Sequence, residues 1–393
     1  MKTNLAVFFG CRSVEHEVSI ISAVQAMGAI NREKYEVTPV YVTKNGEMYT
    51  SSAMFTIEEF RNIPELLSKS EPITFIKSGD RVFLRYLNSS LFSKKKDIPI
   101  DVAFPIVHGT NCEDGTMAGY FEFLGLPYIG CDIISAAVGM DKAVYKDVLA
   151  AAGLPVLPCI KFSSRSYNAD KQSVIDNIEK EFGYPVIVKP VNLGSSVGIT
   201  KASDKETLTD AIELAVSFAD TILVERAITS LREINCSVIG DADTAEASVC
   251  EEPIMNDEIL SYNDKYMGGG KQKGMASLGR KLPADLPEDK TAEIRELSCK
   301  IFKAIGASGV VRIDYLLDTE TGKVYANEIN TIPGSLSFYL WEATGLKYTD
   351  MIDKLVNLAF KRQRNRDNLT FTIKTNILSG VSFGSKGSKG SKM

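Results

Sequence analysis

The chain has 393 residues, of which 44% are apolar and 24% charged, and its 45 basic and 50 acidic residues give a net charge of −5. This length allows two or three domains with a large buried core. The interspersed charges provide no basic surface for nucleic acid, and no run of about 18 apolar residues could span a bilayer, so we expect neither kind of partner.

The seven cysteines are widely spaced, odd in number and without a CxxC pair. This usage is typical of reduced thiols and argues against a disulfide framework or a zinc site, which predicts a cytoplasmic location. The N-terminal stretch MKTNLAVFFG has one lysine and a short apolar run. It predicts a first β-strand and not a signal peptide.

The first region, residues 1–129, alternates strand and helix patterns. The predicted elements are a strand at 3–10, a helix at 19–30, a strand in EVTPVYVTKNG and, after a variable polar region, a strand at 100–109. Alternation of this kind favours an open, mostly parallel sheet whose ligands collect at the strand ends. Gly10 and His108 lie at or just after such ends.

The second region, residues 130–219, begins with a helix in MDKAVYKDVLAAAG that Ser135 or Asp141 could cap. A strand at 159–162, a helix at 171–182 and the strand YPVIVKP follow, and the region then enters the loop VNLGSSVGITK. This loop lacks the GxxxxGK[ST] spacing. Its small residues and flanking lysines could still hold phosphate, although a simple hairpin connection is an equally good interpretation.

The third region, residues 220–365, contains the strands TILVERAI and REINCSVIG, the loop SYNDKYMGGGKQKGMAS and a helix at 290–305. Glu225 and Glu233 near the strand ends could hold an adenine amino group and ribose hydroxyls, but single carboxylates are more often solvated. The remaining residues, 366–393, end in SFGSKGSKGSKM. This composition buries too little apolar surface to fold, and we predict a disordered tail.

A β-hairpin with an unusual polar face closes the third region. Two strand patterns flank a polar turn at 318–323 in RIDYLLDTETGKVYANEIN. Residues two apart share a face, so a register opposing Asp314 to Glu328 also opposes Arg312 to Asn330. Two carboxylates and an amide oxygen on one face suit Mg²⁺, whereas the alternative is an ordinary solvated face.

Taken in order, these stretches resemble the D-alanine:D-alanine ligases, which are ATP-grasp enzymes. The resemblance extends over residues 5–355 and is carried by GCRSVEHEVSI, HGTNCEDGT, GLPYIGCDIISAAVGMDK, GYPVIVKPVNLGSSVGITK, Lys265 with Tyr266, and RIDYLLD with NEINTIPG. It implies an α/β, three-domain ATP-grasp fold, with an N-terminal Rossmann-like parallel-sheet domain and two α+β domains that clasp ATP.

The resemblance also implies roles for individual residues. Two Mg²⁺ ions, for which Mn²⁺ could substitute, would be held by Asp314, Glu328 and Asn330. ATP would be bound by Lys142, Lys189, Ser195, Ser196, Glu225, Glu233 and Lys265.

The implied reaction joins two D-alanines through a D-alanyl phosphate, for peptidoglycan precursor synthesis. Glu15 would bind the first ammonium group, with His108 helping to place that substrate. Arg312 and the N–H of Gly334 would stabilise the oxyanion. A triad of Glu15, Ser195 and Tyr266 would close the site against water, and a homodimer is usual in the family.

One segment departs from the family pattern. Relatives commonly follow NTxPG with Phe or Met, Thr, Ser, His, Ser and Leu, whereas this chain has GSLSFY at 334–339. The acceptor carboxylate could be received by Ser335 with Leu336, or by Ser337 with Phe338. A related ligase using D-serine or D-lactate is therefore the main alternative.

The sequence gives less support to two other functional classes. A nicotinamide-dependent dehydrogenase would need a GxGxxG after the first strand, and the chain has Gly10, Cys11 and Arg12 there. A non-catalytic nucleotide-binding module would not be expected to keep the full set of metal and phosphate residues.

Overall fold

The computed structural model of the protein describes residues 2–88, 95–194, 197–254, 279–373 and 375–380. Ser195, Ser196, Lys265, Tyr266, the loop SYNDKYMGGGKQKGMAS and the tail from residue 381 lie outside these ranges. Within them, no helix is both long enough and apolar enough to cross a membrane.

The N-terminal part of the chain forms a seven-stranded sheet. Its strands are β1 Thr3–Gly10, β2 Tyr35–Val42, β3 Met48–Thr50, β4 Glu71–Ser78, β5 Arg81–Tyr86, β6 Ile98–Ile100 and β7 Val102–Pro105. Their spatial order is β6-β5-β4-β3-β2-β1-β7. The predicted parallel arrangement is confirmed for β2, β1 and β7.

The variable polar region holds the other four strands, which the sequence analysis missed. They join antiparallel to one another and to β2. Short connections such as the two residues between β4 and β5 permit only antiparallel neighbours. The helices of this part are α1 His16–Ala29, α2 Ile63–Ser68 and α3 Thr116–Leu124. Helix α1 thus begins three residues before its predicted start and directly follows Glu15.

A four-stranded antiparallel sheet follows. It consists of β8 Cys159–Ser163, β9 Val186–Pro190, β10 Thr200–Ala202 and β11 Thr221–Arg226, in the order β10-β9-β11-β8. The sequence predicts that β11 is the first strand of the third region. In the structure this strand pairs with β8 and β9 of the four-stranded sheet. We therefore propose that the division lies between β11 and the following strand, and not after residue 219.

Five helices lie before or between its strands in the chain: α4 Ile133–Met140, α5 Lys142–Ala151, α6 Ser164–Ala169, α7 Lys171–Phe182 and α8 Lys205–Val216. Helices α6, α7 and α8 pack on this sheet, whereas α4 and α5 share a buried cluster with the sheet described next. The helix predicted in MDKAVYKDVLAAAG is α5, and a separate helix, α4, precedes it. Each has its own aspartate cap. Asp132 accepts from the Ser135 N–H at 2.8 Å, and Asp141 accepts from the N–H of Ala143 at 2.9 Å. The cap predicted at Asp141 is confirmed, whereas Ser135 is wrong as a cap because it already lies inside the first turn of α4.

The third sheet has five strands, all antiparallel. They are β12 Leu231–Gly240, β13 Ala245–Pro253, β14 Arg280–Lys281, β15 Gly309–Asp318 and β16 Val324–Asn330, in the order β14-β13-β12-β15-β16. The predicted hairpin register is confirmed, with Arg312 opposite Asn330 and Asp314 opposite Glu328. A bulge follows Asp314, where Asn327 is the extra residue on β16.

The remaining helices are α9 Glu288–Ala304, α10 Phe338–Ala343 and α11 Tyr348–Asp367. Helix α9 packs on the third sheet, whereas α11 returns the chain to the first sheet. Apolar residues of α11, including Met351 and Leu355, belong to the same buried cluster as strand β1. Arg362 on α11 also donates to the Gly130 carbonyl at 2.6 Å. Helix α11 therefore fixes the third sheet against the N-terminal part.

Candidate active site

The polar face of the hairpin forms one connected group. Arg312 donates to both oxygens of Asp314, each at 2.6 Å, and the Asn330 amide donates to Asp314 Oδ2 at 3.0 Å. Burial by itself lowers the pKa of Arg312, but the Asp314 carboxylate more than reverses this and leaves the pKa raised. The guanidinium is thus a permanent positive charge in a fixed orientation.

Lys142 joins the hairpin to the glycine loop. It is the first residue of α5 and is buried. Its Nζ lies 3.1 Å from Glu328 Oε2 and donates to the Leu193 carbonyl at 2.8 Å. The Asp314 carboxylate is therefore paired with Arg312, and the Glu328 carboxylate is paired with Lys142. Lys142 also contacts the loop that is predicted to hold phosphate.

The polar face continues across the five-stranded sheet. The strand registers align four residues in one row across β13, β12, β15 and β16: Glu251, Asn235, Asp314 and Glu328. Asn235 donates to Glu251 Oε1 at 3.1 Å, and the Tyr339 hydroxyl donates to the same oxygen at 2.8 Å. Arg280 lies 3.3 Å from the other oxygen of Glu251.

The sequence reasoning missed this extension. Asn235 could have been found because it lies two residues after Glu233 on the same strand face. The other members of the extension are Glu251, Arg280 and Tyr339. They lie on three different elements, and no local sequence pattern shows that these elements meet.

Glu225 is the most buried carboxylate of the site. It is 1% exposed and forms ion pairs with two buried lysines, Lys189 and Lys146, the latter at 2.7 Å. Burial alone raises the pKa of a carboxyl group, but the two lysines lower that of Glu225 below its usual range. Lys189 also donates to Asn327 Oδ1 at 2.9 Å, which ties it to the hairpin bulge. The sequence did not predict Lys146 as a member of the site.

A cavity of about 560 Å³ lies between the four-stranded and five-stranded sheets. Its walls combine apolar side chains with the charged groups described above. Among the lining residues are Leu157, Ile187, Lys189, Glu225, Glu233, Leu316, Asp314 and Glu328. An apolar wall with converging charges at one end suits a ligand that has a ring system and an anionic group.

Glu15 brings the N-terminal part to this site. It is 8% exposed and lines a narrow pocket with Gly194, Lys142 and Glu328. A Cβ atom at Gly194 would come within 3.0 Å of a Glu15 carboxylate oxygen, and one at Gly109 within 2.9 Å. Gly109 also has a φ of 76°, a conformation that favours glycine at that position.

His108 is held through both ring nitrogens. Its Nδ1 lies 2.7 Å from the Ile332 carbonyl and its Nε2 lies 2.8 Å from Ser22 Oγ. A carbonyl can only accept, so Nδ1 carries the proton and Nε2 accepts from the serine. Burial lowers the pKa of His108, which keeps the ring neutral.

Glu113 lies beside His108 and was not predicted as a site residue. Its carboxyl group accepts from the N–H groups of Gly109 and Ile332, both at 2.8 Å. Burial, and then the negative charge of Glu15, raises the pKa of Glu113 to about 8. Together with His108, Glu113 fastens the N-terminal part to the segment that leads to Gly334.

The segment after Pro333 has an unusual backbone. Ser335, Leu336 and Ser337 have φ values of 49°, 53° and 50°, so three successive residues with side chains are left-handed. This conformation costs roughly 1–2 kcal/mol for each such residue. All three are buried, and the Ser337 hydroxyl makes no hydrogen bond with any described residue.

Two family models match the chain. The one described as "D-ala D-ala ligase N-terminus" matches residues 4–131, and the one described as "D-ala D-ala ligase C-terminus" matches residues 148–357. The chain belongs to the D-alanine–D-alanine ligase family. The prediction of an ADP-forming ligase of this family is thereby confirmed.

Curated proteins of similar sequence match this chain over nearly its whole length. It is 40% identical to the D-alanine–D-alanine ligase of Acetivibrio thermocellus, with 94% of this chain and 98% of the relative covered. Identity to the enzyme of the same name from Bacillus pumilus is 36%, covering 95% of this chain and all of the relative.

Solved structures are similar in fold. The D-alanine–D-alanine ligase from Coxiella burnetii has a TM-score of 0.76 and 29% identity, covering 93% of this chain and 96% of its own. The VanG D-Ala:D-Ser ligase from Enterococcus faecalis has the same TM-score and identity, covering 91% of this chain and 100% of its own. The predicted α/β ATP-grasp fold is confirmed.

Proposed function

We propose that this chain uses ATP to join two D-alanines into D-alanyl-D-alanine through a D-alanyl phosphate, for peptidoglycan precursor synthesis. The observation that carries the proposal is the meeting of Glu15, Lys142 and the hairpin residue Glu328 in the narrow pocket, which shares Glu328 with the larger cavity. Phosphoryl transfer to a carboxylate brings several negative charges together, and catalysis consists mainly of positioning and offsetting them. Family membership supports the same reaction.

ATP is proposed to lie in the cavity between the two antiparallel sheets. Lys142, Lys189 and the glycine-loop residues Ser195 and Ser196 would bind its phosphates, and Glu233 its ribose. Lys265 would reach a phosphate or a substrate carboxylate.

Glu225 is proposed to have a second role besides the nucleoside contact predicted from the sequence. Its ion pairs with Lys146 and Lys189 would keep the Lys189 ammonium group in place before ATP binds.

The hairpin residues fit a divalent metal. Asp314, Glu328 and Asn330 offer hard oxygen atoms on neighbouring strands, and Mg²⁺ is commonly bound by one or two carboxylates together with substrate phosphates. We propose two Mg²⁺ ions here, with Mn²⁺ as a substitute. Ions bound in this way would offset the charge of the transferring phosphoryl group.

The donor D-alanine is proposed to bind with its ammonium group at Glu15. Its carboxylate takes the γ-phosphoryl group of ATP, which releases ADP. The amine of the acceptor then attacks the acyl carbonyl, the peptide bond forms and phosphate leaves. Arg312 and the N–H of Gly334 would hold the oxyanion in this step, and His108 would keep the preceding segment in place.

Closure of the site is proposed to depend on the triad of Glu15, Ser195 and Tyr266. This contact would join the N-terminal part, the glycine loop and the loop that carries Lys265. Excluding water in this way protects an acyl phosphate from hydrolysis.

The acceptor is proposed to be an amine held by the segment Ser335 to Ser337, with Leu336 lining its side chain. The buried, unpaired hydroxyl of Ser337 could receive a polar group of the acceptor, which would offset the cost of burying it. The Tyr266 phenol is neutral near pH 7, with an ordinary pKa of about 10, and so provides no cation to favour D-lactate. D-Serine is the second candidate, because of the altered segment and the similarity to a D-Ala:D-Ser ligase structure.

We further propose a homodimer in the cytoplasm. Phe123 on α3 and Ile134 on α4 are 88% and 71% exposed, and a Cβ atom added at Gly119 of α3 would lie 3.9 Å from the side chain of Ile133, the first residue of α4. Large apolar side chains exposed on adjacent helices support an association surface there. The requirement for ATP and seven unpaired cysteines support the cytoplasm.

The deciding experiment is mass spectrometry of products formed from ATP, Mg²⁺ and a panel of D-amino and D-hydroxy acids. We expect D-alanyl-D-alanine as the main product, D-alanyl-D-serine as the main side product, and one ADP for each bond. A predominant D-alanyl-D-lactate ester in an equimolar competition would contradict the role given to Tyr266. The absence of any D-alanyl product would overturn the proposed function.

A further inference from the structure

The left-handed turn at Ser335, Leu336 and Ser337 needs neighbours that hold it. Residues with side chains rarely adopt this backbone, and three in succession persist only where the surroundings fix them. Within the turn itself, the Leu336 N–H donates to the Pro333 carbonyl at 2.7 Å. The Phe338 N–H also donates to the Ser335 carbonyl. The N–H and the hydroxyl of Ser335 are bound from elsewhere in the chain.

Helix α1 supplies these hydrogen-bond partners of Ser335. The Ser335 N–H donates to Ser22 Oγ at 3.0 Å, and the Ser335 hydroxyl donates to Gln25 Oε1 at 2.6 Å. Ser22 and Gln25 are three residues apart and therefore lie on the same face of the helix. One helix face thus binds both the backbone and the side chain of the residue that starts the turn.

The two helix residues differ in their surroundings. Ser22 is buried and also contacts His108, so a change there would disturb several groups at once. Gln25 is exposed to solvent. A change at Gln25 can therefore loosen Ser335 while the core around His108 stays packed.

We infer that Gln25 is a positioning residue for the acceptor substrate, because it holds the turn at Ser335 in its left-handed conformation. The inference rests on the proposed function, in which this turn receives the acceptor. Gln25 acts through Ser335 and touches no reacting atom. Glu15, the proposed donor contact, directly precedes the same helix. Helix α1 thereby sets the donor and acceptor positions relative to each other.

The test measures ADP release by wild type and Gln25→Ala as D-alanine is varied, fitted with separate KM values for donor and acceptor. We expect the acceptor KM to rise about tenfold, while the KM values for donor and ATP change less than about twofold. Gln25→Glu keeps an oxygen that can accept from the Ser335 hydroxyl and should restore the acceptor KM. Gln363→Ala is the control, since Gln363 donates to Asp367 within its own helix; it should leave all three KM values unchanged.

A double-variant cycle tests whether the effect passes through Ser335. Ser335→Ala should raise the acceptor KM as much as Gln25→Ala, and the double variant should show no further rise. An acceptor KM in the double variant above that of Ser335→Ala means that Gln25 acts on the acceptor by a route other than Ser335, which overturns the inference. An equal rise of all three KM values in Gln25→Ala, as expected from a general loss of structure, also overturns it.

The outcome for wild type separates the two proposals. If wild type makes dipeptide and Gln25→Ala has an unchanged acceptor KM, only the role of Gln25 fails. If wild type makes no D-alanyl product, the proposed function fails and this inference fails with it.

Discussion

The nucleotide side and the acceptor side of the site are held together by different interactions. On the nucleotide side, buried charges neutralise one another, as Glu225 on strand β11 does with Lys189 on strand β9 and Lys146 on helix α5. On the acceptor side, neutral groups share hydrogen bonds, as His108 does with the Ile332 carbonyl. The backbone that follows is left-handed over three residues.

This difference suits the two tasks proposed for the site. Charged phosphates are attracted by fixed cations, and regular strands together with helix α5 hold those cations in place. A small acceptor must be selected by shape, and an irregular segment shaped by its neighbours can differ between related enzymes while the sheet stays the same. The departure from the family pattern at 334–339 lies on the acceptor side.

The largest effect should come from removing the central charge of the nucleotide side. Glu225→Gln leaves two buried lysines without their carboxylate, and breaking a buried ion pair costs about 3–5 kcal/mol of stability. Urea unfolding should show this loss. Glu213→Gln is the matched control, because its pair with Lys171 is about half exposed and should contribute less than about 1 kcal/mol. Equal losses in the two variants would show that the nucleotide side does not depend on buried charge.

The second largest effect should come from a change in the proposed metal site, which should slow catalysis while folding is little affected. Glu328→Gln removes one negative oxygen from the proposed metal site, and we expect phosphate release to fall about a hundredfold, with a higher Mg²⁺ requirement. Glu320→Gln, an exposed change in the turn of the same hairpin, should leave the rate unchanged. Near-normal turnover of Glu328→Gln at modest Mg²⁺ would contradict the metal assignment.

The contrast between the two sides should also appear as a dependence of stability on pH. The pKa of Glu113 is raised to about 8 in the folded protein, whereas its ordinary pKa in the unfolded chain is 4.5. Between these two pH values the folded state keeps a proton that the unfolded state has lost. The contribution of Glu113 is therefore largest at low pH and declines as pH rises towards 8, by about 2 kcal/mol between pH 6 and pH 8.

Urea unfolding of wild type and Glu113→Gln at both pH values measures this contribution. The unfolding free energy of wild type minus that of Glu113→Gln should fall by about 2 kcal/mol from pH 6 to pH 8. A signed difference that stays constant or rises with pH would mean that Glu113 is ionised in the folded protein, as Glu225 is.

The smallest effect should be a gain in stability on the acceptor side. Ser337→Gly removes both an unpaired buried hydroxyl and a side chain from a left-handed residue, and we expect about 1 kcal/mol of added stability. Ser337→Ala removes only the hydroxyl and should gain less. Acceptor use should fall in both variants, measured as the acceptor KM. A loss of stability in Ser337→Gly would show that the turn is not strained at this residue.

Local sequence patterns were sufficient for most of the nucleotide side. The hairpin turn, its register and the shared face of Arg312, Asp314, Glu328 and Asn330 all follow from strand alternation around a polar turn. The family motifs then pointed to Lys142 and Lys189. Lys146 was missed because its partner, Glu225, lies 79 residues further along the chain and on another element.

The sequence by itself determined the elements whose residues interact with near neighbours, since periodicity and turn chemistry act over a few residues. Only the tertiary structure decided which sheet β11 joins, that Glu113 fastens Ile332, and that Gln25 holds Ser335 across 310 positions of chain. The physical reason is that a left-handed backbone at a serine or leucine is locally unfavourable. It exists in this protein because helix α1, far away in sequence, supplies the hydrogen bonds that hold it.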